Sequence, residues 1–106
     1  TVLLDEELPA ALVAAAPVLG ALLAERVLGP LLALPPTDRE LLLDTLEAWL
    51  DRDGSAQRAA ARLYCHRNTV LNRLRRCEQL TGRSLARPAD LVELGLALSA
   101  YRLKSS

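Results

Sequence analysis

The segment from residue 55 to residue 82, SAQRAAARLYCHRNTVLNRLRRCEQLTG, constrains the fold more than any other part of the chain. Ser55 is a favoured helix N-cap residue, and the alanines that follow favour a short helix. After a turn at residues 64–65, a second helical pattern covers about residues 66–80 and ends before Gly82. Two helices joined by so short a turn predict a helix-turn-helix motif.

The second helix of this motif has one apolar side and one polar side. At 100° per residue, Val70, Leu74 and Cys77 fall together and predict the buried side. The opposite side carries Asn68, Asn72, Arg75 and Gln79, with Thr69 and Arg76 on a flank. Arg73 lies about 60° from the centre of the apolar side, so an ion pair within the chain and a phosphate contact both fit its position.

The charge of the chain is unevenly distributed, although the net charge is zero. Residues 55–83 contain seven arginines and one glutamate, whereas residues 37–54 contain six acids and two arginines. A positive element in an otherwise acidic chain is typical of a DNA-binding surface, because phosphate contacts supply most of the sequence-independent attraction. The alternative is a solvated helix face whose arginines pair with the acidic segment before it.

The residue types on the polar side suit recognition of double-stranded DNA. Asparagine can pair with adenine through two hydrogen bonds and arginine with guanine, while arginine and threonine also bind phosphate. Because recognition helices present their N-terminal residues to base edges, we expect base readout by Arg67, Asn68, Thr69 and Asn72. We expect phosphate contacts from Ser55, Arg58, His66, Arg75 and Arg76, with His66 primarily a turn or cap residue.

The composition favours an all-α fold, a small helical bundle built around the motif. Alanine and leucine dominate, and only three aromatic residues occur. Near the N-terminus we expect a short helix over residues 5–16 and a second helix that begins at Pro17 and stops at Gly29-Pro30. The apolar stripe expected on the second helix consists of Val18, Leu22, Leu23 and Val27.

Two further helices are predicted on either side of the motif. Thr37 and Glu40 have the spacing of a capping box, which predicts a helix from Thr37 to about Asp53, with Gly54 supplying a left-handed end. Its predicted buried stripe is Leu42, Leu46, Trp49 and Leu50. Pro88 begins the last helix, with Asp90 near its positive end. The stripe expected there is Leu91, Leu94, Leu98 and Tyr101.

Several classes of function find no support in the sequence. Cys65, Cys77 and the single histidine, His66, do not make a four-ligand zinc set, so we expect no metal and no cofactor. No glycine-rich phosphate loop, carboxylate pair or nucleophile with a matched base is present, so we do not expect an enzyme. The longest uncharged run, residues 8–24, is broken by prolines, and we expect a cytoplasmic protein without a membrane span.

The motif also resembles a known family. Residues 65–70 (CHRNTV), the RLRR run at 73–76 and the EQLTG run at 78–82 are similar to the C-terminal helix-turn-helix domain of PucR/CdaR-type bacterial regulators. The resemblance covers roughly residues 27–103. It implies a Fis-like helix-turn-helix at the end of a longer transcription factor whose effector-sensing region lies upstream. Leu71 and Asn72 depart from the family pattern, in which a basic residue and a tyrosine are common.

These observations predict two parts of the chain and one main function. We expect residues 1–36 to be an N-terminal helical segment that serves as a linker or in dimerisation, and residues 37–106 to be the DNA-binding domain. Because one helix-turn-helix covers only a few base pairs, we expect a homodimer on two half-sites. The alternative is a helical oligomerisation or protein-interaction module that does not bind DNA.

Overall fold

Helices joined by short turns make up residues 10–105, the part of the chain that the computed structural model describes. They are α1 (residues 10–15), α2 (Pro17–Leu32), α3 (Pro36–Asp51), α4 (Ala56–Leu63), α5 (Arg67–Thr81) and α6 (Pro88–Ser105). No strand occurs between residues 10 and 105, and the predicted all-α class is confirmed. The helix predicted over residues 5–16 lies partly outside the described residues.

The chain divides into two compact units, which we describe separately. One unit contains the residues up to Gly29 together with those from Ser84 onwards, and the other is Pro30–Arg83. The second unit contains α3, α4 and α5, which all pack against one another, so the motif and its support lie in one unit. The proposed domain boundary at residue 36 stays a prediction.

The N-cap residue of α3 lies two residues earlier than the capping box predicted. Pro35 is the N-cap residue, Pro36 is the first helical residue, and no side chain caps this end. The prediction that Thr37 is the cap was therefore wrong. A proline at the first helical position already has the helical φ, and the N–H that it lacks is one of those that a helix leaves unpaired at this end. The first backbone hydrogen bond runs from the Arg39 N–H to the Pro35 carbonyl (2.9 Å).

The end of α3 depends on two residues in the left-handed region, Asp53 and Gly54. Gly54 has φ +75°, and a Cβ there would lie 3.3 Å from Cζ2 of Trp49, so both the backbone and the indole favour glycine. Of the predicted stripe, Leu42 and Leu46 are buried, whereas Trp49 and Leu50 are half-buried. The buried face also includes Leu43, Thr45 and Ala48.

Helix α2 differs from the prediction in its end and in its buried face. Pro30 lies within the helix, which continues to Leu32, because a proline so near the C-terminus removes only one late hydrogen bond. Val18 and Leu22, expected in the core, are 73% and 58% exposed, and only Val27 of the predicted stripe is fully buried. The buried residues of α2 are Gly20, Ala24, Val27, Leu28 and Leu31.

The unit that contains α6 has close packing between small side chains. Val13, Ala24 and Ala100 form a buried cluster, and a Cβ added to Gly20 would lie 3.0 Å from Cγ1 of Val13. Helix α6 begins at Pro88 as predicted. The carboxylate of Asp90 accepts a hydrogen bond from the Ser84 N–H (2.9 Å), which fixes the turn before α6.

The stripe predicted for α6 is partly buried. Leu94 and Leu98 are buried, while Leu91 and Tyr101 are half-buried.

Within residues 10–105, no single helix has the length and apolar composition needed to cross a membrane, and α2 with α3 meets that criterion only as a bent pair.

Candidate nucleic-acid interface

The start of α4 and the turn after it are fixed by local hydrogen bonds. The Ser55 hydroxyl oxygen accepts from the Arg58 N–H (3.1 Å), which confirms the predicted N-cap. Tyr64 adopts the left-handed conformation (φ 56°) and ends α4, and the Cys65 N–H donates to the Ala60 carbonyl (3.1 Å). The predicted turn at residues 64–65 is thus confirmed.

Helix α5 begins and ends within one residue of the prediction. His66 is its N-cap residue, and the His66 carbonyl accepts from the N–H groups of Thr69 (3.0 Å) and Val70 (3.2 Å). The His66 side chain makes no cap hydrogen bond, and the first turn contains no acidic residue. Gly82, with φ 69°, ends the helix. The N-terminal end of α5 therefore carries positive partial charge without a nearby carboxylate on the same turn.

The buried side of α5 is the predicted one. Val70, Leu74 and Cys77 are all buried, and Thr81 continues the same side. The Cys77 thiol donates to the Leu42 carbonyl of α3 at 3.8 Å, so this side faces α3. Burial raises the pKa of the Cys77 thiol to about 12. The thiol is therefore protonated throughout the physiological range and acts as a packing group.

Most of the residues for which base contacts were predicted lie on the exposed side of α5. Arg67, Asn68 and Asn72 are exposed, and Thr69 is half-buried on the flank. Among the expected phosphate contacts, His66, Arg75 and Arg76 are exposed on or next to α5. Arg58 is exposed on α4, and Ser55 is half-buried at the N-cap of α4. The predicted residues thus lie on two packed helices and their turn, and their roles stay predictions.

Arg73 points to α3 rather than to the exposed side of α5. Its Nη1 donates to the Thr45 hydroxyl at 3.4 Å, and this fully buried hydroxyl donates to the Leu41 carbonyl at 2.7 Å. The sequence left an ion pair and a phosphate contact open for Arg73. The structure gives it a hydroxyl partner on α3, and the phosphate contact stays a prediction. A recess at this place is lined by Asp38, Leu41, Leu42, Asn72, Arg73 and Arg76.

Sequence reasoning missed Tyr64 as a surface residue of this region. Its side chain is 95% exposed, two residues before the N-cap residue of α5, His66. The available signal was its position, because a large aromatic residue in a two-residue turn has little core to pack against. Arg62, in the last turn of α4, is exposed as well.

The two cysteines are free. Cys77 is buried as expected, whereas Cys65 is only half-buried. Across residues 10–105, no group of three or more His, Cys, Asp or Glu side chains is placed to hold a metal ion.

Comparison with known proteins assigns this arrangement to a family. The model of the PucR C-terminal helix-turn-helix domain matches residues 42–100, which include α4, α5 and most of α3 and α6. The chain belongs to this family. It is therefore a DNA-binding domain of a transcriptional regulator, and the resemblance noted in residues 65–82 is confirmed.

Relatives of this PucR-type domain include named regulators. The chain is 43% identical over 74 residues to the purine catabolism regulatory protein of Bacillus subtilis, covering 70% of this chain and 14% of that protein. It is 38% identical over 79 residues to the transcriptional activator PmfR of Paenarthrobacter nicotinovorans, covering 74% and 17%. An uncharacterised protein of Thermomonospora curvata is 41% identical over 78 residues, covering 74% and 43%.

The PucR-type domain thus spans less than half the length of these curated relatives. No solved structure matches it.

The buried thiol of α5 predicts how stability depends on pH. The pKa of Cys77 is raised from 9.0 to about 12, so the unfolded chain releases this proton at lower pH than the folded chain. The free energy of unfolding should therefore fall by about 1.4 kcal/mol per pH unit between these values because of this residue. Urea unfolding at several pH values should show this slope in the wild type and not in Cys77→Ala. Equal slopes in both proteins would mean that Cys77 is accessible to water.

Proposed function

We propose that this domain binds double-stranded DNA with α5 in the major groove. In this proposal Arg67, Asn68, Thr69 and Asn72 meet base edges, and Ser55, Arg58, His66, Arg75 and Arg76 meet phosphates. The observation that carries the proposal is the polarity of α5. Its apolar side is buried against α3, while its amide and guanidinium groups are exposed.

The anchoring of α5 supports a role as a rigid reading element. Val70, Leu74 and Cys77 bury one side, and Arg73 is bonded to Thr45 of α3. A helix held in this way presents its outer side chains without having to order itself on binding, which lowers the entropic cost of recognition.

Local charge supports the phosphate contacts. Residues 55–83 have six more positive than negative side chains, whereas the chain as a whole is neutral. The first turn of α5 adds backbone N–H groups with no acidic side chain beside them. Backbone N–H groups at helix N-termini are common ligands of DNA phosphates, so this end of α5 is suited to lie next to the backbone.

One residue at each end of α4, Ser55 and Tyr64, can bind a phosphate while keeping its structural role. The Ser55 oxygen accepts from the Arg58 N–H, but the hydroxyl hydrogen is still available to donate to a phosphate. Tyr64 has a phenol group on an exposed side chain two residues before the N-cap residue of α5. We add Tyr64 to the proposed phosphate contacts.

The parent protein is proposed to be a cytoplasmic regulator rather than an enzyme. Its relatives are several times longer than this chain, so we propose that an effector-sensing region lies in another part of the polypeptide. The name of one relative refers to purine catabolism and suggests a small metabolite as the class of effector.

Salt dependence tests the proposed phosphate contacts. Each lost contact should reduce the magnitude of the negative slope of log K against log salt concentration by about 0.9, so Arg58→Ala/Arg76→Ala should reduce it by about 1.8 on a labelled duplex. The matched control is Arg26→Ala/Arg87→Ala, which removes the same charge from exposed positions outside α4 and α5. Fluorescence anisotropy measures both. Absence of binding at low salt, or an equal loss in the control, would favour an interaction module that does not bind DNA.

Stoichiometry tests the proposed homodimer. One reading helix covers a few base pairs, so two copies should bind half-sites about one helical turn apart. Sedimentation of the chain with a selected duplex should give two protein chains per duplex, and insertion of about half a helical turn between the half-sites should abolish this complex. A monomer at micromolar concentration, both free and on DNA, would contradict the proposal.

A further inference from the structure

Two residues on the exposed side of α5 are joined by a side-chain hydrogen bond. Arg75 Nη1 donates to Asn72 Oδ1 at 3.2 Å, and both side chains are exposed. Residues three positions apart lie on the same side of a helix, so this contact joins two groups that face the same direction. Asn72 was assigned to a base and Arg75 to a phosphate from the sequence, but the structure makes them one polar unit.

This bond changes what the Asn72 amide offers to a base. A free asparagine side chain presents an acceptor oxygen next to a donor NH₂ group, which matches the N6–H and N7 of adenine. In this structure the Asn72 oxygen already accepts a hydrogen bond from the Arg75 guanidinium group. The guanidinium group has further N–H donors beside the amide NH₂, so the surface of the pair is dominated by donors.

A surface dominated by donors fits one base better than the others. In the major groove guanine presents two acceptors, N7 and O6, whereas adenine presents one acceptor and the N6–H₂ donor. The adenine N6–H₂ group would meet the guanidinium N–H groups, which leaves donors facing donors. Guanine satisfies both the amide NH₂ and the guanidinium.

The neighbouring arginines leave Arg75 as the partner of Asn72. Arg73 is hydrogen-bonded to Thr45, and Arg75 is the arginine that donates to Asn72, although Arg76 lines the same recess as Asn72. Base contacts at the third turn of a recognition helix are compatible with known helix docking in the major groove.

We propose that Asn72 and Arg75 act together to read guanine and that Arg75 determines specificity at this base pair. The inference rests on the proposed function, because it needs α5 to lie in the major groove. The guanine contact replaces both the adenine contact that Asn72 would make alone and the phosphate contact proposed above for Arg75.

Selection of duplexes from a random library, with the 106-residue chain as bait, tests this proposal. Wild type should enrich guanine at the base pair whose preference changes in Asn72→Ala. Arg75→Ala frees the Asn72 oxygen, so the ratio of guanine to adenine at that base pair should fall by about tenfold or more. The control Arg62→Ala removes an exposed arginine of α4 and should weaken binding without changing base preference.

The possible outcomes distinguish a failure of the guanine assignment from a failure of DNA binding. Adenine in the wild-type selection, or an unchanged preference in Arg75→Ala, would overturn the guanine assignment while leaving DNA binding intact. Failure of the wild type to enrich any duplex would overturn the proposed function itself.

Discussion

Burial of the apolar side of α5 is the interaction on which the remaining structure of the motif depends. Val70, Leu74 and Cys77 are removed from water in a unit where α3, α4 and α5 all pack together. Because a helix has only one orientation that buries this stripe, the same packing decides which side chains are exposed. The proposed DNA-binding surface is therefore a consequence of core packing rather than a separate feature.

Backbone geometry at the helix ends sets where that surface begins. Ser55 caps α4, Tyr64 in the left-handed conformation ends it, and His66 starts α5 two residues later. Only this short connection separates the N-terminus of α5, which has no side-chain cap, from the exposed arginines of α4. Local conformational preferences thus place together the donors that we propose to contact phosphates and bases.

The sequence predicted the motif well because its two sides differ strongly in polarity. Helix α5 mixes a clear apolar stripe with amide and guanidinium residues, so its buried side could be assigned by periodicity alone. Helix α2 is apolar on almost every side, and periodicity could not tell the exposed Val18 and Leu22 from the core. At the start of α3, the capping box at Thr37 competed with prolines 35 and 36, and the prolines set the boundary.

Side-chain hydrogen bonds were beyond the reach of sequence patterns. The bond between Arg73 and Thr45 joins residues 28 positions apart, and its prediction would need the packing of α5 on α3. The bond between Asn72 and Arg75 is local, but the pattern alone does not show whether each side chain faces its neighbour or the solvent. These contacts distinguish a list of polar residues from a surface with a defined arrangement of donors.

Contact between α5 and DNA is tested most simply by titrating the ¹⁵N-labelled chain with a duplex and following the amide chemical shifts. If α5 is the recognition helix, the largest changes lie in its first two turns, residues 67–72, and around the N-cap of α4, residues 55–58. Changes centred instead on the acidic surface of α3, or no changes at low salt, would contradict it.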